Sequence, residues 1–256
     1  MSEAEVKDNN SLVVVDTRDE KVIAQAYGLL EKYFKPSELE SVDAILDRTV
    51  CEQKPNVSHG VLVAYRGDRM VSCCIYDHFA DTNMVYVEYI ATEVDERRHH
   101  VATELLQRGI FGQYDADILV DIVDPKKMEE ASTEEVAHVC SKSKFWSKQG
   151  ARKLGLENFQ QPDFSDDADE MAIDDGAFLA IIPKDPQTTE IDAGRMAETL
   201  HVINTECNGV ENPEETFPQM FDELKRTQKL SLSQKSLAEE VVQPIEAAAA
   251  AEDCCQ

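Results

Sequence analysis

Positive charge is scarce in this chain: 25 Lys and Arg stand against 51 Asp and Glu among 256 residues, a formal net charge of −26. Such a field repels phosphate backbones and anionic lipid, which argues against nucleic acid and membrane surfaces as partners. Long apolar runs are also missing. No stretch approaches the ~18 apolar residues of a membrane span, and the opening MSEAEVKDNN lacks the apolar core of an export signal. The expectation is a soluble, cytoplasmic protein. Seven cysteines are an odd number, and Cys73, Cys74 and Cys140 sit in apolar stretches, as reduced core thiols do. Cys254 and Cys255 lack the spacing of a lipidation signal. His99 and His100 are adjacent, with no partner at ligand spacing, so no metal is expected. No internal repeat is present.

What is present is patterning of two periods. Leu12 to Val15 is a short β-branched run. Val22, Ala26, Leu29, Leu30 and Phe34 recur at helical spacing, Pro36 breaks the run, and Leu39, Val42, Ile45 and Leu46 restart it with Ser37 as the expected cap. Gly60 to Tyr65 and Met70 to Phe79 flank Arg66-Gly67-Asp68-Arg69, which predicts a hairpin. Met84 to Thr92 reads as a strand that passes through charged Glu93 to Arg98 into a helix bearing Leu105, Leu106 and Ile110. Asp117 to Val123 reads as a buried strand, 133–149 as a helix closed by Gly150, and Arg152 to Leu156 and Ala177 to Ile182 as strands separated by a mobile acidic loop. This order predicts a mixed α/β sheet. Beyond Pro183 only helices are expected, over 188–206 and 213–229, followed from Ser231 by a disordered or frayed tail.

The chemically informative stretch is VYVEYIATEVDERRHHVATELL, residues 85–106. A strand there runs through a charged loop into a helix, and a helix N-terminus presents unpaired N–H groups and a positive dipole end that suit a phosphate diester. Arg97 and Arg98 add local positive charge in an acidic chain. By residue type alone, a phosphate-binding turn and a surface loop with helix-flanking charges both stand.

Residues 90–106 resemble the acyl-CoA-binding segment of the GNAT superfamily, whose pattern is Gln/Arg-x-x-Gly-x-Gly/Ala between a strand and a helix. Arg97 and Ala102 match it, and His100 stands where the first glycine is expected. KFWSKQGARKL, residues 144–154, is similar to the family's Phe-Tyr-x-x-x-Gly-Phe segment, with Trp146 at the tyrosine position. The resemblance covers about residues 12–184. It implies a GNAT-like, mostly antiparallel twisted sheet flanked by helices (α+β) in a 1–184 acyltransferase domain, while the pattern beyond it is expected to give a helical extension over 185–230 packed on that domain and a disordered 231–256 tail.

The activity implied is direct transfer of an acetyl group from acetyl-CoA to a primary amine of a small molecule. Ile90, Thr92, Arg97, Arg98, His99, His100, Val101, Ala102 and Thr103 are the implied cofactor-binding residues. Tyr86, Glu88, Ile90 and Thr92 share a face of their strand, and family members often carry a base at the first two positions. Glu88 is therefore the candidate general base and Tyr86 a candidate acid, while a paired strand glutamate and a packed tyrosine are the plainer alternatives. Trp146 cannot supply the acid that the family's tyrosine often does. A catalytically inactive GNAT-like binding module and a protein lysine or N-terminal acetyltransferase are the competing functions. A homodimer is compatible with the extension.

Overall fold

The computed structural model describes residues 11–51, 54–128, 131–163 and 172–253. The polar leader, part of the acidic loop and the terminal cysteines lie outside them. Seven strands form one mixed, mostly antiparallel sheet: β1 (Leu12–Thr17), β2 (Val57–Arg66), β3 (Arg69–Phe79), β4 (Met84–Thr92), β5 (Asp117–Val123), β6 (Arg152–Lys153) and β9 (Ala177–Ile182), in the order β1-β2-β3-β4-β5-β9-β6. The chain divides into two compact units, one running through His78 and resuming over Val87–Asp115, the other comprising Phe79–Tyr86 and everything from Ala116 on.

In the first unit, β1 pairs antiparallel with β2, Leu12 opposite Arg66 and Thr17 opposite Val61. The β2–β3 hairpin closes on Gly67, whose φ of 60° is the left-handed value a tight hairpin turn needs at its first position. Helix α1 (Glu20–Leu30) begins where Asp19 accepts the N–H groups of Lys21 and Val22. It buries Ile23, Ala26, Leu29 and Leu30 in a core shared with Val61, Val63, Cys73, Ile75, Tyr89 and Ala91. The expected cap at Ser37 is displaced: Pro36–Glu38 forms a 3-10 turn, and Ser41 caps α2 (Val42–Leu46) by accepting the Ala44 N–H. The helix then widens into a π turn, Asp47–Cys51, that buries Arg48. Helix α3 (Val101–Leu106) follows the charged loop. Cys73 and Cys74 are both buried, and burial pushes Cys73 up to about 12 and Cys74 well above the usual thiol range. Both are packing residues, as their apolar surroundings in the sequence predict.

In the second unit, β4 runs parallel to β5, Met84 opposite Asp117 and Tyr86 opposite Leu119. Strand β5 pairs antiparallel with β9, and β9 with β6. Helix α4 (Thr133–Lys148) opens on a Ser132–Glu135 capping box and ends at Gly150, whose φ is 93°. Segments on both sides of residue 184 fall in this unit.

Four expectations are corrected here. The acidic loop is bounded by a small ribbon, β7 (Gln161–Asp163) against β8 (Ala172–Asp174). The segment beyond Pro183 is not purely helical: β10 (Glu190–Asp192) pairs with β11 (Lys229–Ser231), and helix α5 (Ala193–Val202) starts only after Asp192 caps it through the Arg195 N–H. The second expected helix breaks into α6 (Pro213–Thr216) and α7 (Pro218–Arg226), because the residue before a proline is pushed out of helical geometry. From Ser231 the chain is ordered through a π turn, Ala238–Val242, and α8 (Gln243–Asp253), anchored by buried Leu237, Val241 and Val242. Arg195 ties α5 to the strand ends, donating to Asp117 at 2.6 Å and to the Asn83 carbonyl at 2.8 Å. Among the described residues no helix is long and apolar enough to cross a membrane.

Candidate active site

The charged loop after β4 is built by neutralising its acids one at a time. Glu93 takes Lys32 at 2.6 Å and the Tyr33 hydroxyl at 2.9 Å. Asp95 accepts both Nη groups of Arg69 at 2.7 Å, a bidentate pair. Glu96 accepts Arg66 Nε at 3.0 and 3.1 Å. With its carboxylates engaged, the loop leaves its basic residues outward. Arg97 and Arg98 are exposed, as are His99 and His100. The Arg97 guanidinium lies 4.5 Å from the centre of the Tyr33 ring, and its Nε donates to the Thr92 carbonyl at 3.1 Å. Arg98 makes no ion pair among the described residues. His99 reaches Glu96 at 3.7 Å.

Two residues of this turn, Arg98 at φ 69° and His100 at φ 62°, adopt the left-handed conformation. His100 occupies the position where the resemblance calls for glycine, and the backbone takes the dihedral that glycine adopts freely. The structure therefore keeps the turn and accepts a non-glycine penalty of about 1–2 kcal/mol. Beyond it, Val101 is buried, and Ala102 and Thr103 are half-buried in the first turn of α3. The first-turn N–H groups of a helix have no intrahelical acceptor. An exposed turn with left-handed corners, two outward arginines and a small residue at Ala102 fits a diphosphate such as that of CoA.

On β4, Glu88, Ile90 and Thr92 are half-buried while Tyr89 and Ala91 are buried, the alternation the sequence predicts. The Thr92 hydroxyl shares a 2.8 Å hydrogen bond with Ser72. At Glu88 the exposure belongs to the main chain: its side chain is only 4% accessible and accepts Arg48 Nη2 at 2.5 Å. The same nitrogen lies 2.8 Å from Glu40 Oε2. Glu40 is fixed at its backbone, its N–H donating to the Tyr89 hydroxyl at 3.3 Å and its carbonyl accepting the Tyr27 hydroxyl at 3.0 Å. Burial raises Glu88 well above the carboxylate range; Arg48 opposes this, and Glu40 and Asp77 add to it. Burial likewise raises Glu40 to about 7 against the pull of Arg48. Asp77 itself holds His59 Nδ1 at 2.5 Å, both side chains buried.

Tyr86 is tied elsewhere. Its hydroxyl donates to Asp121 at 2.7 Å, and burial raises the Asp121 carboxyl. Trp146 is buried in α4, packed edge-on against Phe145. Sequence reasoning missed Glu40 and Arg48 as site residues. Neither carries a local signal, because each is defined by a partner about forty or more positions away on β4.

No known family's sequence profile matches the chain, and no curated protein matches it. Solved structures do. A protein provisionally described as a GNAT-family acetyltransferase from Bacteroides thetaiotaomicron aligns over 78% of this chain and 99% of its own, with a TM-score of 0.55 at 18% identity. A second such protein, from Desulfovibrio desulfuricans, covers 68% of this chain and 100% of its own at a TM-score of 0.46 and 10% identity. An acetyltransferase from Streptococcus agalactiae covers 67% and 98% at 0.44 and 13%. The first of these alignments, with the seven-stranded mixed sheet, gives the chain the GNAT acetyltransferase fold.

Proposed function

We propose that this chain is an acyl-CoA-dependent N-acyltransferase that moves an acetyl group from acetyl-CoA to a primary amine of a small molecule. The observation that carries the reading is the exposed turn ahead of α3, with its left-handed Arg98 and His100 and its outward arginines. In this reading residues 1–184 carry the chemistry and 185–230 form an accessory segment. Acetyl-CoA, when bound, supplies the activated acyl group. The turn orients its diphosphate through backbone N–H groups and the two arginines. Glu88 takes the proton that the attacking amine must lose.

A specific observation supports a second reading, a binding module without turnover: the Glu88 carboxylate is enclosed by Arg48, and Trp146 offers no acid. One assay separates them. Free thiol released from acetyl-CoA is followed across a panel of amino sugars, amino acids and peptides with free lysines or N-termini, for wild type and Glu88→Gln. Acceptor-dependent release that falls about 10²–10⁴-fold in the variant supports the enzyme and identifies its acceptor class. Acetyl-CoA binding with no release from any acceptor supports the module.

A further inference from the structure

The Glu88 carboxylate does not stand alone, and its neighbourhood has the make-up of a shared-proton site. One guanidinium nitrogen, Arg48 Nη2, donates to Glu88 Oε2 at 2.5 Å and lies 2.8 Å from Glu40 Oε2 as an ion pair without hydrogen-bond geometry, with side-chain exposures of 5%, 4% and 6% for Arg48, Glu88 and Glu40. Glu88 Oε1 is buried with no hydrogen-bond partner among the described residues. Two carboxylates against one cation leave a buried net negative charge unless one proton is held between them, because desolvation penalises the surplus charge. Among the described residues the elements around the pair supply no second arginine or lysine: β2 contributes His59, engaged by Asp77 of β3, α1 contributes the Tyr27 hydroxyl, and the Cys74 thiol and the Tyr89 hydroxyl lie nearby.

Resting on the acyltransferase reading above, we propose that Glu40 and Glu88 act as one proton-accepting unit seated on Arg48, with Glu88 as the group that meets the amine and Glu40 as the positioning residue that sets its proton occupancy. The amine nitrogen attacks the thioester carbonyl, the C–N bond forms as the C–S bond breaks, CoA leaves as a thiolate that solvent protonates, and the fully ionised pair takes the one proton the nitrogen loses. It then holds that proton between two carboxylates beside Arg48 until the proton is released to solvent, which restores the starting state. Removing the Glu40 charge takes away a repulsion that resists ionisation of Glu88, so the unit then ionises at lower pH.

The test needs no acceptor. The full chain, labelled with ¹³C at the glutamate side-chain carboxyl carbon, is titrated by NMR from about pH 3 to about pH 9, spanning the reference carboxylate and imidazole ranges. Glu40→Gln and Glu88→Gln assign the two signals. The expected result is that both wild-type signals move together through one step above the ordinary carboxylate range, and that Glu40→Gln lowers the Glu88 midpoint by about one pH unit or more. Two independent steps below about pH 5, near the reference carboxylate values, or a Glu88 midpoint unmoved in Glu40→Gln, would overturn it. The wild-type co-movement decides the point even where a variant folds poorly. Failure of acetyl-CoA binding would overturn the acyltransferase reading and leave this titration unchanged, so the two failures are distinct.

Discussion

Arg48 donates to Glu88 across 2.5 Å between side chains that are 5% and 4% exposed, so a π turn after α2 and the middle of β4 are joined by a buried charge pair. Removing the cation strands two carboxylates. Arg48→Leu is expected to cost about 3–5 kcal/mol at pH values where those carboxylates are ionised. In acid the cost shrinks, because protonation removes the uncompensated charge. Urea denaturation of wild type and variant on either side of neutrality checks this, and an equal loss at both would contradict it.

The raised carboxylates also set a sign for the pH dependence of stability. Glu40 rises from an ordinary 4.5 to about 7 on folding, and Glu88 rises with it. The folded state therefore binds more protons than the unfolded chain across this window. The stabilisation from these groups is full below 4.5 and is lost as pH climbs through about 7. Melting temperatures followed over that window are expected to fall less steeply with pH in Glu40→Gln than in wild type.

His100 pays for its left-handed backbone, so His100→Gly is expected to be neutral or to stabilise by up to about 1.5 kcal/mol: about 1–2 kcal/mol of strain relieved against about 0.5–1 kcal/mol of added chain entropy. A β-branched residue at this position is expected to destabilise instead. Equilibrium denaturation of His100→Gly and His100→Val measures both.

Gly60 on β2 faces the Tyr76 ring so closely that an added Cβ would lie 2.3 Å from Tyr76 Cζ. The ring cannot swing away freely, since its hydroxyl is bonded to Asp16 and Tyr114, each at 3.1 Å. Gly60→Ala is expected to cost about 1–3 kcal/mol by overpacking, read from the shift in denaturation midpoint.

Much of the fold is legible in the sequence, for identifiable reasons. The β-rich runs of β2, β3 and β4, the turn at Gly67 and the Ser132 capping box express local rules that tertiary contacts do not override. The strand breaks around α5 and α7 are harder to read. Asp192 and Pro218 shift the helix starts by only a few residues, and the three-residue strands β10 and β11, each burying only its middle residue, are too short to show a period. Helix α8 is concealed by its alanine-rich composition, and its anchor, Val241 and Val242, precedes it. At the site, the basic turn is visible because it is contiguous from Glu93 to His100. The partnership of Glu88 with Arg48 and Glu40 is not, since it joins segments far apart in the chain. Of the two sequence readings of Glu88, the geometry shows the paired strand carboxylate, raised by burial.

Binding of an acyl-CoA diphosphate by the turn ahead of α3 underlies the proposed activity, and calorimetric titration with acetyl-CoA and with CoA measures it. Both are expected to bind saturably, and binding is expected to weaken about tenfold or more, roughly 1.4 kcal/mol or greater, when Arg97 and Arg98 are together changed to alanine in a protein that remains folded. Absence of binding by wild type, or equal affinity in the double variant, would contradict it.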